Sequence, residues 1–435
     1  MSLRNRELLN LIVVGTLTAL GFASVYIARQ AVISTASLSY AAFFLALYLV
    51  AHLAARFAVP YADPYLLPMA ALLTAIGVTE IYRIRPGDAF RQGVWIIVAV
   101  AVFTATLLGL RRDYRRLEGY KYLFGLSAIG LLVLPALPIL GTTVNGARLW
   151  IHLGSLQFQP GELAKICLIV FLAGYLREKR EVLAQGRLKD FGPLLVIWGG
   201  AMLVLFETND LGSALLYFGI FLAMLYVATG RMLFVGLGAA LFVAGSAGIY
   251  KIGPQHVRDR ITIWLHPWTE HKVYCPLNGH TALRQDCTSY QLVKSLYSVG
   301  NGSWFGTGLG KGTFETVDGH PLIPYLNTDF IFSALAQELG LIGIAAFLLL
   351  FMLFIARGMR LALLADDGFS KLAAAGLTFG FALQTFIIVG GILRLIPLTG
   401  ITLPFVSYGG SSVVANFVLL AGLLLISNRA NAPRT

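Results

Sequence analysis

Phe330 to Ala356 reads FIFSALAQELGLIGIAAFLLLFMLFIA, apolar throughout except for Ser333, Gln337 and Glu338. A helix rises about 1.5 Å per residue, so about 20 apolar residues cross the hydrocarbon core of a bilayer. This stretch is long enough. Eleven more runs share its character: Leu8–Ala28, Ser37–Ala58, Leu66–Ile84, Gly93–Leu110, Tyr122–Leu140, Gly161–Leu176, Pro193–Phe206, Leu211–Ala228, Leu233–Tyr250, Leu372–Leu393 and Ser411–Ser427. The first exceeds the apolar core of a cleavable signal and lacks a small-residue cleavage site, so it reads as a true span.

Composition agrees. The 435 residues are 57% hydrophobic and 12% charged, with a mean hydropathy of +0.76. Soluble domains carry about 25% charged residues, and surface-to-volume scaling gives a soluble fold no place to bury so much apolar surface. The reading is an all-α polytopic integral membrane protein with about twelve transmembrane helices.

Basic residues gather in loops that stay cytoplasmic. Arg4 and Arg6 precede the first run. Arg111, Arg112, Arg115, Arg116 and Lys121 follow the fourth, and Arg177, Lys179, Arg180, Arg187 and Lys189 follow the sixth. Arg357, Arg360 and Lys371 follow the tenth, and Arg429 and Arg434 close the chain. With twelve spans these share one side, and both termini are cytoplasmic. Arg83, Arg85 and Arg91 are the exception, outside. The net charge of +12 (33 basic against 21 acidic residues) follows from this bias and from contact with anionic membrane lipid. It forms no single patch with interleaved aromatics, which argues against nucleic acid.

The long polar stretch, Lys251 to Asp329, falls on the other side as one large extracytoplasmic loop (251–328). It carries Trp264, Trp268, Tyr290 and Trp304, and a glycine-rich run from Gly300 to Gly312 that reads as a flexible turn. That run lacks P-loop spacing. Cys275 and Cys287, twelve residues apart in an oxidising compartment, form an expected disulfide. Cys167, within a span, reads as a small apolar residue. The seven histidines show no metal-ligand spacing.

Polar groups at membrane depth are costly and face a cavity or a partner. Asn145-Gly-Ala-Arg148-Leu-Trp-Ile151 leads to Gln159-Pro-Gly-Glu162-Leu-Ala-Lys165. Glu162 and Lys165 lie on one helix face, either as a self-neutralising pair or as part of a cationic cavity for an anionic headgroup. Asp210, in Glu207-Thr-Asn-Asp210-Leu-Gly-Ser-Ala214, suits a helix N-cap. Asp329 stands where the outer loop meets the tenth span. A cap explains Asp329 alone, but not the acid at Glu338 further in. Finally, Ile396-Pro-Leu-Thr-Gly400 runs to Leu403-Pro-Phe-Val-Ser-Tyr-Gly-Gly-Ser411-Ser412. This non-helical, hydroxyl-rich stretch must be buried in protein or line a cavity.

At these residues the chain resembles the SEDS family (shape, elongation, division and sporulation), the RodA, FtsW and SpoVE group. The shared motifs are NGARLWI, QPGELAK, NDLGSA, RDRITIWLHPW, FGTGLGKG, NTDFIFSALAQELG and IPLTGITLPFVSYGGSS. They cover the chain from about Leu66 onward. The resemblance implies a SEDS-type core over 61–435 and an added two-helix segment over 1–60. It implies a peptidoglycan glycosyltransferase that polymerises lipid II outside the bacterial cytoplasmic membrane, beside a class B penicillin-binding protein. Asp329 matches the family's essential aspartate. The departures are Gly161 for a serine, Asn209 for a proline and Gln337 for a glutamate, together with the cysteine-bearing insert.

The chemistry asks for a base to deprotonate an acceptor hydroxyl and cations to stabilise a departing pyrophosphate. Asp329 is the expected base. Arg148 and Lys165 are expected to face phosphate, with Glu162, Asp210, Glu338, Ser411 and Ser412 around the substrate. No cofactor is called for and no Asp-x-Asp pair announces a metal, although a divalent Mg or Mn ion stays open. A precursor flippase or transporter, and a non-catalytic scaffold for wall synthesis, remain alternative readings. The topology is testable: after reduction, an impermeant thiol reagent should label Cys275 and Cys287 in intact cells. Labelling that requires permeabilised cells would invert it.

Overall fold

The structure is a computed structural model that describes residues 2–30, 35–137, 140–144, 147–153, 156–184, 192–208, 210–252, 255–270, 272–275, 280–316 and 321–433. Asn145, Asn209 and His271 lie outside them.

Helices dominate. The chain opens with α1 (Leu3–Gln30), α2 (Thr35–Ala58), α3 (Leu66–Ile84) and α4 (Pro86–Leu110). After a short α5 (Arg116–Gly119) comes α6 (Lys121–Val133), then α7 (Gly161–Ala184), α8 (Gly192–Glu207), α9 (Leu211–Thr229) and α10 (Met232–Ile252). The long polar stretch contributes α11 (Gln255–Leu265) and α12 (Tyr290–Asn301). The bundle closes with α13 (Ile331–Leu364), α14 (Gly368–Ile392) and α15 (Gly410–Asn431). Eight helices among the described residues are long and apolar enough to cross a membrane: α1, α2, α3, α4, α9, α13, α14 and α15. The segments Lys121–Ala136, Gly192–Glu207 and Met232–Gly248 are apolar but shorter. The apolar first half of α7 runs into Arg177, Glu178, Lys179 and Arg180.

Two readings are corrected. The run Tyr122–Leu140 is not one helix. Pro135 enters a 3-10 turn over Leu134–Ala136, because proline has no N–H to continue the ladder. The residues beyond form an antiparallel sheet of β1 (Gly141–Val144), β2 (Ala147–Leu153) and β3 (Leu156–Phe158), paired in that order. The glycine-rich run is a packed element and not a flexible turn. It fills a break in α13 at Gly340, whose φ is +67°. Leu341 N–H donates to Ser303 O (2.9 Å) and Ile342 N–H to Trp304 O (3.1 Å). In return, Thr307 and Gly308 donate to the carbonyls of Gln337 and Glu338 (2.9 and 3.0 Å). The backbone groups freed by the break are thus satisfied by the loop, as burial requires. Cys275 and Cys287 are bonded, with Cα atoms 5.7 Å apart, beside the short pair β4 (Val273–Tyr274) and β5 (Thr281–Ala282).

Polar contacts sort to the two ends of the bundle. At one, Arg4 pairs with Glu7 (2.5 Å) and reaches Ala62 O, while Arg357 pairs with Asp63 (3.0 Å). Arg177 pairs with Glu118, and Tyr114 bonds Ser370 (2.6 Å). At the other, Asn327 donates to Asp88 Oδ2 (2.9 Å) and Arg260 to Thr399 O (3.4 Å).

Between α14 and α15 the chain abandons helix. Pro397 and Pro404 forbid it, and residues 401–407 are nonetheless all buried. Each polar group there therefore needs a partner. Ser407 Oγ accepts from Leu403 N–H (2.9 Å) and donates to Thr328 O (2.6 Å). Gln92 donates to Ser407 O (3.3 Å) and accepts from Gly409 N–H (3.2 Å). Tyr408 N–H donates to Asn327 O (2.9 Å). Gly77 on α3 lies against the backbone of Val406, where any Cβ would collide with the carbonyl oxygen. Gly77→Ala should therefore lower stability by about 1–3 kcal/mol, as overpacking does. Gly245→Ala, which meets open space, should cost no stability. Melting of the detergent-solubilised protein reads both.

Candidate active site

The irregular segment at Thr399–Thr402 is the hub of the site. Arg260, on α11, donates to Thr399 O (3.4 Å). Gly212, in the first turn of α9, packs on Thr399 and Ile401. A Cβ at Gly400 would stand 3.5 Å from Asp329 Oδ2, and Gly400 takes a φ of +75°. The positive φ is what favours glycine here, and the Asp329 carboxylate lies within ordinary contact of the position. Thr402 Oγ1 bonds Ser412 Oγ (2.8 Å) and approaches Glu162 Oε1 (3.4 Å), while Gln384 donates to Thr402 O (3.0 Å).

Lys165 enters this hub from α7. Its ammonium donates to Glu162 Oε2 (2.9 Å) and to Gln384 Oε1 (2.5 Å), and the residue is 3% exposed. Pro160 precedes α7 and Gly161 begins it, Tyr217 OH donates to Gly161 O (2.7 Å), and Gln159 N–H donates to Ser411 Oγ (2.6 Å). The entry to the helix is thereby tied to α9 and α15. An ammonium has three donors, and a charge so buried needs its partners. Glu162 and Gln384 take two of the three.

Asp329 stands two residues before α13 and is half-buried. Withdrawal from water pushes its pKa up to about 6, against the field of Arg260, which favours the ionised form. Asp210 caps α9, accepting from Ser213 N–H (3.0 Å). Burial raises its pKa as well, opposed by the Ser213 hydrogen bond and by Arg260, with Glu162 adding to the rise. Arg260 thus acts on both aspartates. A carboxylate held near 6 is largely ionised at neutral pH and still basic enough to take a proton.

Of the residues named from sequence, Glu162, Lys165, Asp210, Asp329, Ser411 and Ser412 come together around this segment. Two stand elsewhere. Arg148 is on β2, its guanidinium reaching the carbonyl of Gly141 (3.5 Å). Glu338 is withdrawn into the protein, accepting from the amides of Gly310 (2.7 Å) and Gly312 (3.0 Å). There it ties the glycine loop to α13, one amide on each oxygen. Arg260, Gln384 and Thr402 were not singled out. Arg260 sits within RDRITIW, and Gln384 is a lone amide in the apolar run of α14; each carried a polar signal without a partner visible in sequence. Among the described residues no group of three or more His, Cys, Asp or Glu is gathered to hold a metal.

Comparison with known proteins accords with this arrangement. The family model for the FtsW, RodA and SpoVE cell cycle proteins matches residues 65–432. The peptidoglycan glycosyltransferase RodA of Mycobacterium tuberculosis is 40% identical over 451 residues, covering 99% of this chain and 92% of its own. A probable peptidoglycan glycosyltransferase FtsW of Geobacter metallireducens is 32% identical, covering 84% and 94%. A solved peptidoglycan synthase complex, described for its coordination of polymerization and crosslinking, contains a chain that superposes with a TM-score of 0.68 at 26% identity, covering 85% of this chain and 98% of that one. This chain is thus a multi-pass membrane protein with the activity of a peptidoglycan glycosyltransferase. It belongs to the FtsW/RodA/SpoVE family. The first two helices lie outside the family model, but the alignment with the mycobacterial relative includes them.

The Lys165 contacts make a test. Exchanging Glu162 and Lys165 keeps an ion pair but sets a carboxylate where the ammonium met Gln384. We expect each single charge reversal, and the double exchange, to lose glycan synthesis. Near-normal synthesis by the exchanged protein would reduce the pair to a structural one.

Proposed function

We propose that this protein polymerises lipid II into glycan strands at the outer face of the bacterial cytoplasmic membrane. Twelve helices cross that membrane and both termini are cytoplasmic; the placement of the basic loops supports this orientation. The observation that carries the chemistry is the meeting of Asp329, Arg260 and the Lys165–Glu162–Gln384 network on one irregular segment, half-buried to exposed at Thr399–Gly400 and buried from Ile401. In this reading Asp329 takes the proton from the acceptor sugar hydroxyl. Lys165 and Arg260 stabilise the charge that develops on the departing pyrophosphate. Glu162 and Gln384 orient Lys165, and Gly400 keeps the space in front of the Asp329 carboxylate clear. An α-linked donor becomes a β-linked chain by one displacement with inversion. Arg148, on the adjacent sheet, guides the headgroup from the rim.

The partner in this reading is a class B penicillin-binding protein. The structurally similar synthase complex, which couples polymerization with crosslinking, supports that assignment. The added segment 1–60 packs on the core, with α1 against α3 and the glycine loop.

The cap position of α13 is Phe330, with no side-chain cap bond, so Asp329 is not the cap that the sequence allowed. Asp329→Asn keeps the size of the side chain but accepts no proton. Purified protein given lipid II should lose about 10²–10⁴-fold in polymerisation, the usual worth of a general base. The wild-type rate should rise with pH through about 6 and then level, since the ionised form is active. The sign for stability is opposite. A folded-state pKa raised above its ordinary value means that ionisation disfavours the fold, so above pH ~6 Asp329→Asn should melt no lower than the wild type. Unimpaired polymerisation by Asp329→Asn would refute the assignment.

A further inference from the structure

Glu80 lies in α3 and is 1% exposed. It faces the Glu338 carboxylate of α13. The two do not share their surroundings evenly. Glu338 receives the amides of Gly310 and Gly312, and Arg83 Nε stands 3.4 Å from its Oε1. These donors suit an ionised carboxylate. No donor reaches either oxygen of Glu80. Arg83 is already engaged elsewhere, donating to Gly312 O (2.8 Å) and lying over the Phe314 ring (5.3 Å).

The charges facing Glu80 are few. α3 brings Arg83 and α13 brings Glu338. α1 meets the glycine loop with Val25 and Ala28, which pack against Gly310, and Lys311 of the loop is exposed. Two ionised carboxylates against one guanidinium would leave a net buried negative charge, and buried charge without a partner is strongly disfavoured. One proton neutralises the group. It belongs on Glu80, because a protonated carboxyl needs only an acceptor, and Glu338 is one.

We propose that Glu80 is a neutral carboxylic acid that shares its proton with Glu338, and that the pair clamps the glycine loop into the break of α13, making Glu80 a positioning residue for Asp329. The clamp acts at a sensitive point. Loop and helix exchange four backbone hydrogen bonds around Gly340, and the helical segment before that break begins two residues after Asp329. α1, from outside the family model, closes the clamp through Val25 and Ala28.

Three measurements test this, the first two independent of any role for Asp329. Infrared spectra at pH 7 should show the C=O stretch of a buried protonated carboxyl that Glu80→Gln lacks; its absence from the wild type would overturn the shared proton. Hydrogen exchange, corrected for intrinsic rates, should show Gly310 and Gly312 losing protection as alkaline pH removes the proton. Glu80→Gln, whose amide donates to Glu338 without titrating, should hold that protection at all pH values. Lipid II polymerisation by Glu80→Ala should fall about 10–100-fold, as small misplacements of a reacting group do, with Glu80→Gln restoring it. Glu80→Gln as damaged as Glu80→Ala, including failure of both to fold, would show that an ionised carboxylate is needed and overturn the proposal. Full activity of Glu80→Ala would overturn the positioning role.

Discussion

A stretch of non-helical backbone inside a membrane protein must have its amides and carbonyls satisfied by the protein, because lipid offers no substitute. The segment between α14 and α15 lives under that rule, and much of the structure serves it. Gln92 bonds its backbone twice, at Ser407 and Gly409. Asn327 and Thr328, just before α13, meet Tyr408 and Ser407. Gly77 is glycine because Val406 passes directly over it. These contacts draw α3, α4 and the entry to α13 onto one irregular strand. The strand then presents Thr399, Gly400 and Thr402 to the charged residues.

The consequence is a site assembled without a soluble domain to house it. Its charges come from α7, the cap of α9, α11 and the loop before α13, none of them adjacent in sequence. The common contact is the segment itself. Glu162 and Lys165 alone would neutralise each other, and Gln384 changes that balance. It takes a second hydrogen bond from the ammonium and hands one on to Thr402 O. The lysine is thereby oriented from two sides, which is how a fixed positive charge is kept ready for a developing negative one. Arg260 plays the parallel part towards Asp329 and Asp210, lowering the pKa of each against the burial that raises it.

A second irregular crossing follows the same rule. The break at Gly340 would strand backbone groups in the membrane if the glycine loop did not fill it. The glycines at 306 and 340 permit the fit, since each takes a positive φ, and a Cβ at Gly306 would clash with the backbone of Glu338 and Leu339 while one at Gly340 would clash with that of Phe305 and Gly306. Read as sequence, the run Gly306-Thr-Gly-Leu-Gly-Lys-Gly312 has the composition of a mobile turn. Glycine provides close approach as readily as it provides freedom, and composition cannot distinguish the two.

The sequence by itself determined the class of fold. Apolar runs of spanning length, few charges and the placement of lysine and arginine are local properties, and lipid acts on them locally. It also determined where chemistry would be found, because an acid such as Asp329 or a lysine such as Lys165 is conspicuous in apolar surroundings. The family resemblance, carried by short motifs, narrowed that chemistry to one activity. Only the tertiary structure decided which conspicuous residues meet. Glu338 and Asp329 lie nine positions apart in one motif, yet one is sealed by glycine amides and the other borders the site. Gln384, Thr402 and Arg260 join the site although their own segments announce little. The sheet over 141–158 was likewise hidden, being short and without strong alternation. Pairing between distant segments depends on packing, and packing is the one quantity that periodicity and composition do not carry.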